Sequence, residues 1–224
     1  MSNYSLVVFD MAGTTVRDKG NVAEAFITAL AQHNITVPAD EVNKVMGWRK
    51  KEAIRMLLQK FHMADDALIE TLHEQFTQNM IAFYKNDKDL QPLPFAEDIF
   101  TTLRNQNIKI ALNTGFTKAI TNVLLEKLNW QNGKVVDDVI ASDEVEEGRP
   151  HPFMIQELMK RHGITDAAKV VKVGDTEVDV MEGRNAGCGL VVAVTTGAYT
   201  REALKEYQPD KIIDSLHELP SLIL

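Results

Sequence analysis

The chain has 224 residues, of which 45% are hydrophobic, so it is long enough to bury a substantial core. Its formal net charge of −8 argues against nonspecific nucleic-acid binding, which depends on clustered lysine and arginine. The single cysteine, Cys188, excludes an intrachain disulfide and indicates a reducing, cytoplasmic compartment. No segment approaches the roughly 20 apolar residues of a membrane span, so no membrane partner is expected.

Strand and helix patterns alternate along most of the chain. The first strand is predicted over residues 5–9, and residues 21–86 then show only helical spacing, as in Phe26 and Leu30. Farther on, the patterns predict helices over 95–105, 117–128, 151–162 and 177–186, with strands over 108–112, 139–141, 169–173 and 190–194. This alternation predicts an α/β fold with a doubly wound, Rossmann-like parallel sheet. The all-helical stretch indicates an inserted cap of residues 18–89 on a core of residues 1–17 and 90–224.

Polar residues that suit catalysis lie at the predicted strand ends. In open parallel sheets, ligands bind at the carboxyl ends of the strands. The candidates there, in chain order, are Asp10, Thr114-Gly115, Arg149 before Pro150 at a helix predicted to begin near His151, and Asp175 followed by Asp179. Taken singly, such aspartates are also typical of turns and helix starts, and an arginine before proline is often a solvated charge. Their occurrence together, in this order, favours a functional site.

Each of these residue types suits one task in phosphoryl transfer, which is catalysed mainly by positioning and by charge stabilisation. Asp10 can attack phosphorus, and with Asp175 and the Ala12 carbonyl it can hold Mg²⁺. Thr114 and Gly115 offer a hydroxyl and a backbone N–H to phosphate oxygens. Arg149 adds a charge with a forked donor geometry.

The same features resemble the haloacid dehalogenase superfamily, whose first motif is usually D-x-D-G-T. Here the motif is Phe-Asp-Met-Ala-Gly-Thr-Thr-Val over residues 9–16, so Ala12 stands where most members have a second aspartate. Within the superfamily the chain is most similar to the phosphonatase-like family. That similarity rests on Ala12, on Gly-Arg-Pro over 148–150, on residues 173–187, and on Met-Gly-Trp-Arg-Lys over 46–50, which resembles the family's Met-Gly-x-x-Lys.

The resemblance implies a mechanism in which Lys50 forms a Schiff base with a substrate carbonyl. The protonated imine withdraws electrons from the carbon–phosphorus bond, Asp10 attacks phosphorus, and carbon departs as an enamine. No oxygen leaving group then needs the proton of a second aspartate, which fits Ala12. The resemblance also implies Mg²⁺, a small phosphonate or phosphate substrate, and a homodimer formed through the cap. Met46 and Phe116 are expected beside the substrate, with Asp179 and Thr14 supporting the site.

Alternatives remain open at this stage. Lys51 competes with Lys50, about 100° round the helix. The chain could instead hydrolyse phosphate monoesters with good leaving groups, or bind a phospho-ligand without catalysis. The family pattern has a histidine three residues after the lysine, a tyrosine after Thr-Gly and a cysteine beyond the first motif. Here those positions are Ala53, Phe116 and Gly20, which suggests a different 2-oxoalkylphosphonate.

Overall fold

A single parallel sheet organises the computed structural model, which describes residues 3–131 and 133–224. Its strands are β1 Leu6–Asp10, β2 Lys109–Thr114, β3 Asp138–Ala141, β4 Val170–Gly174, β5 Leu190–Val194 and β6 Lys211–Ile213. They lie in the order β3-β2-β1-β4-β5-β6, and every neighbouring pair is parallel. The chain therefore runs outward from β1 in one direction and then from β4 in the other. The crevice at that reversal is where ligands bind in open α/β sheets.

Alternate residues of the central strands enter two separate cores, one on each face of the sheet. Val7 and Phe9 of β1 belong to the larger apolar cluster, while Leu6 and Val8 belong to the smaller one. A strand covered on both faces is mostly apolar, and β1 is buried along its whole length and apolar apart from its terminal residue, Asp10. The predicted α/β fold with a doubly wound parallel sheet is confirmed.

Ten α-helices lie within the described residues. They are α1 Asn21–Ala31, α2 Ala39–Asn43, α3 Lys50–Lys60, α4 Asp66–Asn86, α5 Ala96–Asn105, α6 Lys118–Leu128, α7 Phe153–Arg161, α8 Glu177–Asn185, α9 Arg201–Glu206 and α10 Pro220–Ile223. None of them is long and apolar enough to cross a membrane.

Helices α1 to α4 fill the stretch between β1 and α5. They share a buried apolar contact surface, in which the rings of Phe26 and Phe76 stack with centroids 4.4 Å apart. The ring of Tyr84 in α4 meets Phe116 of the sheet region edge-on, with centroids 6.1 Å apart. The division into a core of 1–17 and 90–224 and a cap of 18–89 stays a prediction, and residues 1, 2 and 132 of that core lie outside the described part of the chain.

Several predicted boundaries were wrong, for identifiable reasons. Asp10 was expected to follow its strand but is the last residue of β1, because it pairs in register with Asn113. Thr114 likewise belongs to β2, because it pairs with Ala141 of β3. The helix after Arg149 begins at Phe153 rather than near His151, because residues 149–152 form a turn. Three short elements, α9, β6 and α10, were not predicted.

Candidate active site

The candidate site is a cavity of about 250 Å³ at the carboxyl ends of β1, β2 and β4. Eight of the predicted residues line it: Asp10, Ala12, Met46, Lys50, Thr114, Gly115, Phe116 and Asp175. The other three predicted residues, Thr14, Arg149 and Asp179, are buried beside it. The fold therefore brings all eleven to one place. Because ligand pockets usually measure about 300–1,000 Å³, this cavity suits a small substrate.

Arg149 holds the Asp10 carboxylate from behind. Its Nη1 donates to Asp10 Oδ1 at 2.7 Å and lies 3.0 Å from Asp179 Oδ1. Its Nη2 donates to both oxygens of Asn113 at 2.7 Å, and its Nε donates to Glu182 Oε2 at 3.2 Å. Because every guanidinium nitrogen is engaged, the charge is fixed in direction and points at Asp10.

Lys172 shares the acceptor atoms of Arg149. This lysine lies inside β4, fully buried, and its Nζ is 2.6 Å from Asn113 Oδ1, 2.9 Å from Asp179 Oδ1 and 3.2 Å from Glu182 Oε2. Asn113 Oδ1, Asp179 Oδ1 and Glu182 Oε2 therefore each contact both Arg149 and Lys172. Burial raises the pKa of Asp179, but the charges of Arg149 and Lys172 lower it by more, so this carboxyl stays ionised.

The Asp175 carboxylate lines the cavity and is held in place by two hydrogen bonds. Its Oδ1 accepts a hydrogen bond from Thr14 Oγ1 at 3.0 Å, and its Oδ2 accepts one from the Ala198 N–H at 2.8 Å. Burial raises its pKa well above the ordinary value, and repulsion from the Asp10 carboxylate raises it further. Burial also raises the pKa of Asp10, against the opposing charge of Arg149. Two buried carboxylates that repel one another are suited to hold a cation between them.

The charges of this cluster fit a divalent cation. Four buried carboxylates, Asp10, Asp175, Asp179 and Glu182, outnumber three buried cations, Arg149, Lys172 and Lys50. The region therefore has an excess of negative charge, which a metal cation would offset. Mg²⁺ commonly uses one or two carboxylates and completes its shell with water and substrate oxygens, so Asp10, Asp175 and the Ala12 carbonyl form a suitable donor set. Within the described residues, no group of three or more acidic, histidine or cysteine side chains is arranged to hold a metal.

Lys50 enters the cavity from the helical insertion. It is the first residue of α3 and only 4% exposed, and its Nζ lies 5.1 Å from the centre of the Phe116 ring and 5.6 Å from that of Phe26. Its polar partner is the Trp48 carbonyl, at 3.3 Å. Burial lowers the pKa of Lys50 to about 8, although the charge of Asp10 opposes the shift. The positive end of the α3 dipole acts in the same direction as burial.

Lys51, the competing lysine, lies elsewhere. Its side chain is 35% exposed, and its Nζ donates to Glu70 Oε1 on α4. It is absent from the lining of the cavity. Of the two lysines, only Lys50 therefore has the position and the desolvated environment that a nucleophilic amine needs.

The segment that carries Lys50 is packed directly on the sheet loops. A Cβ on Gly115 would lie 2.5 Å from the Trp48 carbonyl oxygen and 2.6 Å from that of Gly47, so only glycine fits at this position. Trp48 Nε1 donates to Glu177 Oε1 at 3.3 Å, which joins the same segment to α8. These contacts close the cavity over Asp10.

The sequence patterns missed four polar residues of this region. Asn113, Lys172 and Glu182 form the support behind Arg149, and Asp18 lines the cavity itself. A lysine inside the apolar strand Val-Val-Lys-Val-Gly was a usable signal, because a buried charge requires partners. At the three positions that depart from the family pattern, Phe116 contacts Lys50, Gly20 lines the cavity and Ala53 is buried.

Comparison with known proteins identifies the class of enzyme. The model of the family described as haloacid dehalogenase-like hydrolase matches residues 7–193. The chain therefore belongs to the haloacid dehalogenase-like hydrolases, and the resemblance drawn from its motifs is confirmed.

Among its relatives, the phosphonoacetaldehyde hydrolase of Paraburkholderia xenovorans (strain LB400) is 31% identical over 213 residues, covering 89% of this chain and 78% of that protein. The phosphonoacetaldehyde hydrolase of Bacillus cereus (strain B4264) is 31% identical over 194 residues, covering 81% and 72%. The fold matches a solved phosphonoacetaldehyde hydrolase-like protein from Oleispira antarctica with a TM-score of 0.84 at 22% identity, covering 98% of this chain and 91% of that one. A hydrolase from Pseudomonas syringae matches with a TM-score of 0.88 at 20% identity, covering 98% and 100%.

Proposed function

We propose that this hydrolase cleaves the carbon–phosphorus bond of a small 2-oxoalkylphosphonate, using Asp10 as the nucleophile and an imine on Lys50 as the electron sink. The observation that carries the proposal is the placement of Lys50. Its amine is buried in the same cavity as Asp10, and its pKa of about 8 leaves part of it neutral near physiological pH. Names of the relatives that match most of the chain point to the same substrate class.

In the proposed reaction, the neutral amine of Lys50 adds to the C2 carbonyl of the substrate, and uptake of one proton with loss of water gives a protonated imine. The same number of protons is released when the aspartyl-phosphate is later hydrolysed. Thr114 and Gly115 bind the oxygens of the phosphonyl group. Arg149, whose guanidinium nitrogens are all engaged by protein acceptors, does not reach the substrate as predicted but holds the Asp10 carboxylate that attacks phosphorus. Attack by Asp10 forms an aspartyl-phosphate, and the electrons of the broken carbon–phosphorus bond move into the imine to give an enamine. Water then hydrolyses the aspartyl-phosphate.

Ala12 supports carbon rather than oxygen as the leaving atom. A phosphate ester releases an alkoxide, which needs a proton, whereas the imine stabilises the departing carbon without one. The side chain at position 12, which lines the cavity, is a methyl group and has no proton to donate. When bound by Asp10, Asp175 and the Ala12 carbonyl, Mg²⁺ would supply positive charge to the phosphonyl oxygens. The cavity of about 250 Å³ is small, which suits a 2-oxoalkylphosphonate with a short carbon chain.

We also propose a cellular compartment and an oligomeric state for this enzyme. We expect it to act on a free small molecule in the cytoplasm, because the single cysteine suits a reducing compartment. From the family resemblance we also expect a homodimer joined through the cap. Light scattering of the purified chain would test this, and a monomer at micromolar concentration would contradict it.

A turnover panel tests the reaction. Wild type, Lys50→Ala and Lys51→Ala are assayed for phosphate release from 2-oxoethylphosphonate, 2-oxopropylphosphonate and an aryl phosphate, each with Mg²⁺. We expect Lys50→Ala to lose turnover of the oxoalkylphosphonates, and Lys51→Ala, the matched control, to retain it.

The alternative is a phosphatase for monoesters with good leaving groups, which the Asp10–Arg149 arrangement also allows. It predicts that wild type prefers the aryl phosphate and that Lys50→Ala leaves its turnover nearly unchanged. A non-catalytic sensor would hydrolyse none of the panel, and its biological effect would survive Asp10→Asn.

A further inference from the structure

The proposed reaction leaves one chemical task without a residue. Once Asp10 has taken the phosphoryl group, the carbon fragment is an enamine on Lys50. Its C1 must gain a proton, and water must then add to the resulting imine to free Lys50. Both steps need an acid–base group beside the Lys50 nitrogen. The inference below rests on the proposed function.

Few groups that face Lys50 can move a proton. The charged groups that act most strongly on its amine are Asp10, Arg149, Asp18 and Asp175. At this stage Asp10 carries the phosphoryl group. Asp175 is tied to Thr14 and the Ala198 N–H, and it belongs to the cation set. A guanidinium does not release its proton in proteins.

The aromatic rings around Lys50 cannot transfer this proton either. Phe26 and Phe116 are the rings within 6 Å of its Nζ, and neither carries a transferable proton. Tyr84 is fully buried behind Phe116 and does not line the cavity. Burial raises the pKa of its phenol well above 10, which makes it a poorer acid. Among the carboxylates that act on Lys50, Asp18 is the one that neither takes the phosphoryl group nor belongs to the cation set.

Asp18 is held at the cavity wall by the backbone of α1. Its Oδ1 accepts a hydrogen bond from the Asn21 N–H at 2.7 Å, and the side chain lines the same cavity as Lys50. Burial raises its pKa above the ordinary value, against the hydrogen bonds of nearby N–H groups and the charge of Lys50. A carboxyl of this kind gives up and regains a proton more readily near neutral pH than an exposed aspartate.

We propose that Asp18 is the acid–base residue of the product-forming half of the reaction. The protonated carboxyl donates its proton to C1 of the enamine. The carbon–carbon π pair becomes the new C–H bond, and the nitrogen lone pair restores the C=N⁺ bond. Water then adds to the imine carbon while the Asp18 carboxylate accepts the proton that this water loses. The carbinolamine collapses to the carbonyl product and free Lys50, and Asp18 is again protonated.

Rapid-quench kinetics with 2-oxoethylphosphonate separates the two halves of the reaction. Aspartyl-phosphate plus inorganic phosphate is measured alongside acetaldehyde for wild type, Asp18→Asn and Asp18→Ser. Both variants keep an acceptor for the Asn21 N–H, so this backbone group at the start of α1 keeps a hydrogen-bond partner. For Asp18→Asn and Asp18→Ser, we expect a burst of about one phosphate per active site without a matching amount of acetaldehyde. A steady-state kcat lower by about 10²–10⁴-fold should follow, the range of general acid–base catalysis.

The matched control is Tyr84→Phe, which should show no burst. Borohydride treatment with substrate should still modify Lys50 in every variant. Two results would refute the role of Asp18 while the proposed function stands, provided that Lys50 is still modified. In the first, Asp18→Asn and Asp18→Ser turn over substrate like wild type. In the second, they lose phosphate and acetaldehyde formation in parallel. A burst in Tyr84→Phe instead would also refute it. If Lys50 is not modified and Lys50→Ala stays active, the proposed function itself fails.

Discussion

Replacing Lys50 by methionine is expected to stabilise the protein at neutral pH. Methionine has a similar length and no charge, and it can occupy the space between Phe26 and Phe116. The wild-type ammonium is only 4% exposed there, and its hydrogen-bonding partner is one backbone carbonyl. The substitution removes the free-energy cost of keeping that charge out of water.

The size of the effect follows from the pKa of Lys50, which burial lowers from 10.5 to about 8. At about 1.36 kcal/mol per unit of pKa, the charged amine destabilises the fold by about 3 kcal/mol at pH 7. Between pH 8 and 10.5 the unfolded chain still binds the proton that the folded chain has released, so wild-type stability rises with pH. The advantage of Lys50→Met should therefore fall to roughly 1.5 kcal/mol at pH 9.5.

Urea denaturation followed by tryptophan fluorescence measures this difference at pH 7 and pH 9.5. Lys51→Met is the control, since Lys51 is partly exposed and paired with Glu70. It should show no stabilisation that shrinks with pH. A Lys50→Met variant that is less stable than wild type at pH 7, or whose advantage is independent of pH, would refute the reasoning that this amine is desolvated in the folded state.

Four further outcomes are expected. Lys172→Met should lower the free energy of unfolding by about 3–5 kcal/mol in urea denaturation, because it removes one of the two cations that neutralise the buried carboxylates of Asp179 and Glu182. Gly115→Ala should reduce kcat/KM by about 10²-fold in steady-state assays while the fold persists, because the methyl displaces the Trp48 carbonyl and its neighbours. With oxoalkylphosphonates, kcat/KM should rise with pH through about 8 as Lys50 loses its proton, a limb absent with aryl phosphates. EDTA should abolish phosphate release and Mg²⁺ restore it, whereas borohydride should modify Lys50 in either condition.

The sheet could be predicted from the sequence because buried parallel strands are continuous apolar runs. β5 was predicted with its full bounds, Leu190–Val194. The ends of β1 and β2 were missed because Asp10 and Thr114 are polar yet pair within the ladder. β6 was missed because three residues, Lys211–Ile213, are too few to establish a pattern.

The cavity lining could be predicted in part, because the carboxyl ends of parallel strands meet at one edge of the sheet. This rule brings Asp10, Thr114 and Asp175 together without any knowledge of the helices. The lysine inside β4 indicates a buried charge that needs partners, but Glu182 could not be predicted as one of them, since this pairing depends on how α8 packs on β4. The burial of Lys50 could not be predicted either, because it depends on how α3 packs on the sheet loops.

The most direct test of the central claim is to trap the imine. Wild type is incubated with 2-oxoethylphosphonate and borohydride, and peptides are then analysed by mass spectrometry, with Lys51→Ala and Lys50→Ala treated in parallel. If Lys50 forms the imine, we expect a reduced adduct on the peptide containing Lys50 and a loss of activity in proportion to that adduct. Lys50→Ala should show no adduct. Turnover of this substrate with no adduct on Lys50, or with an adduct on Lys51 instead, would contradict it.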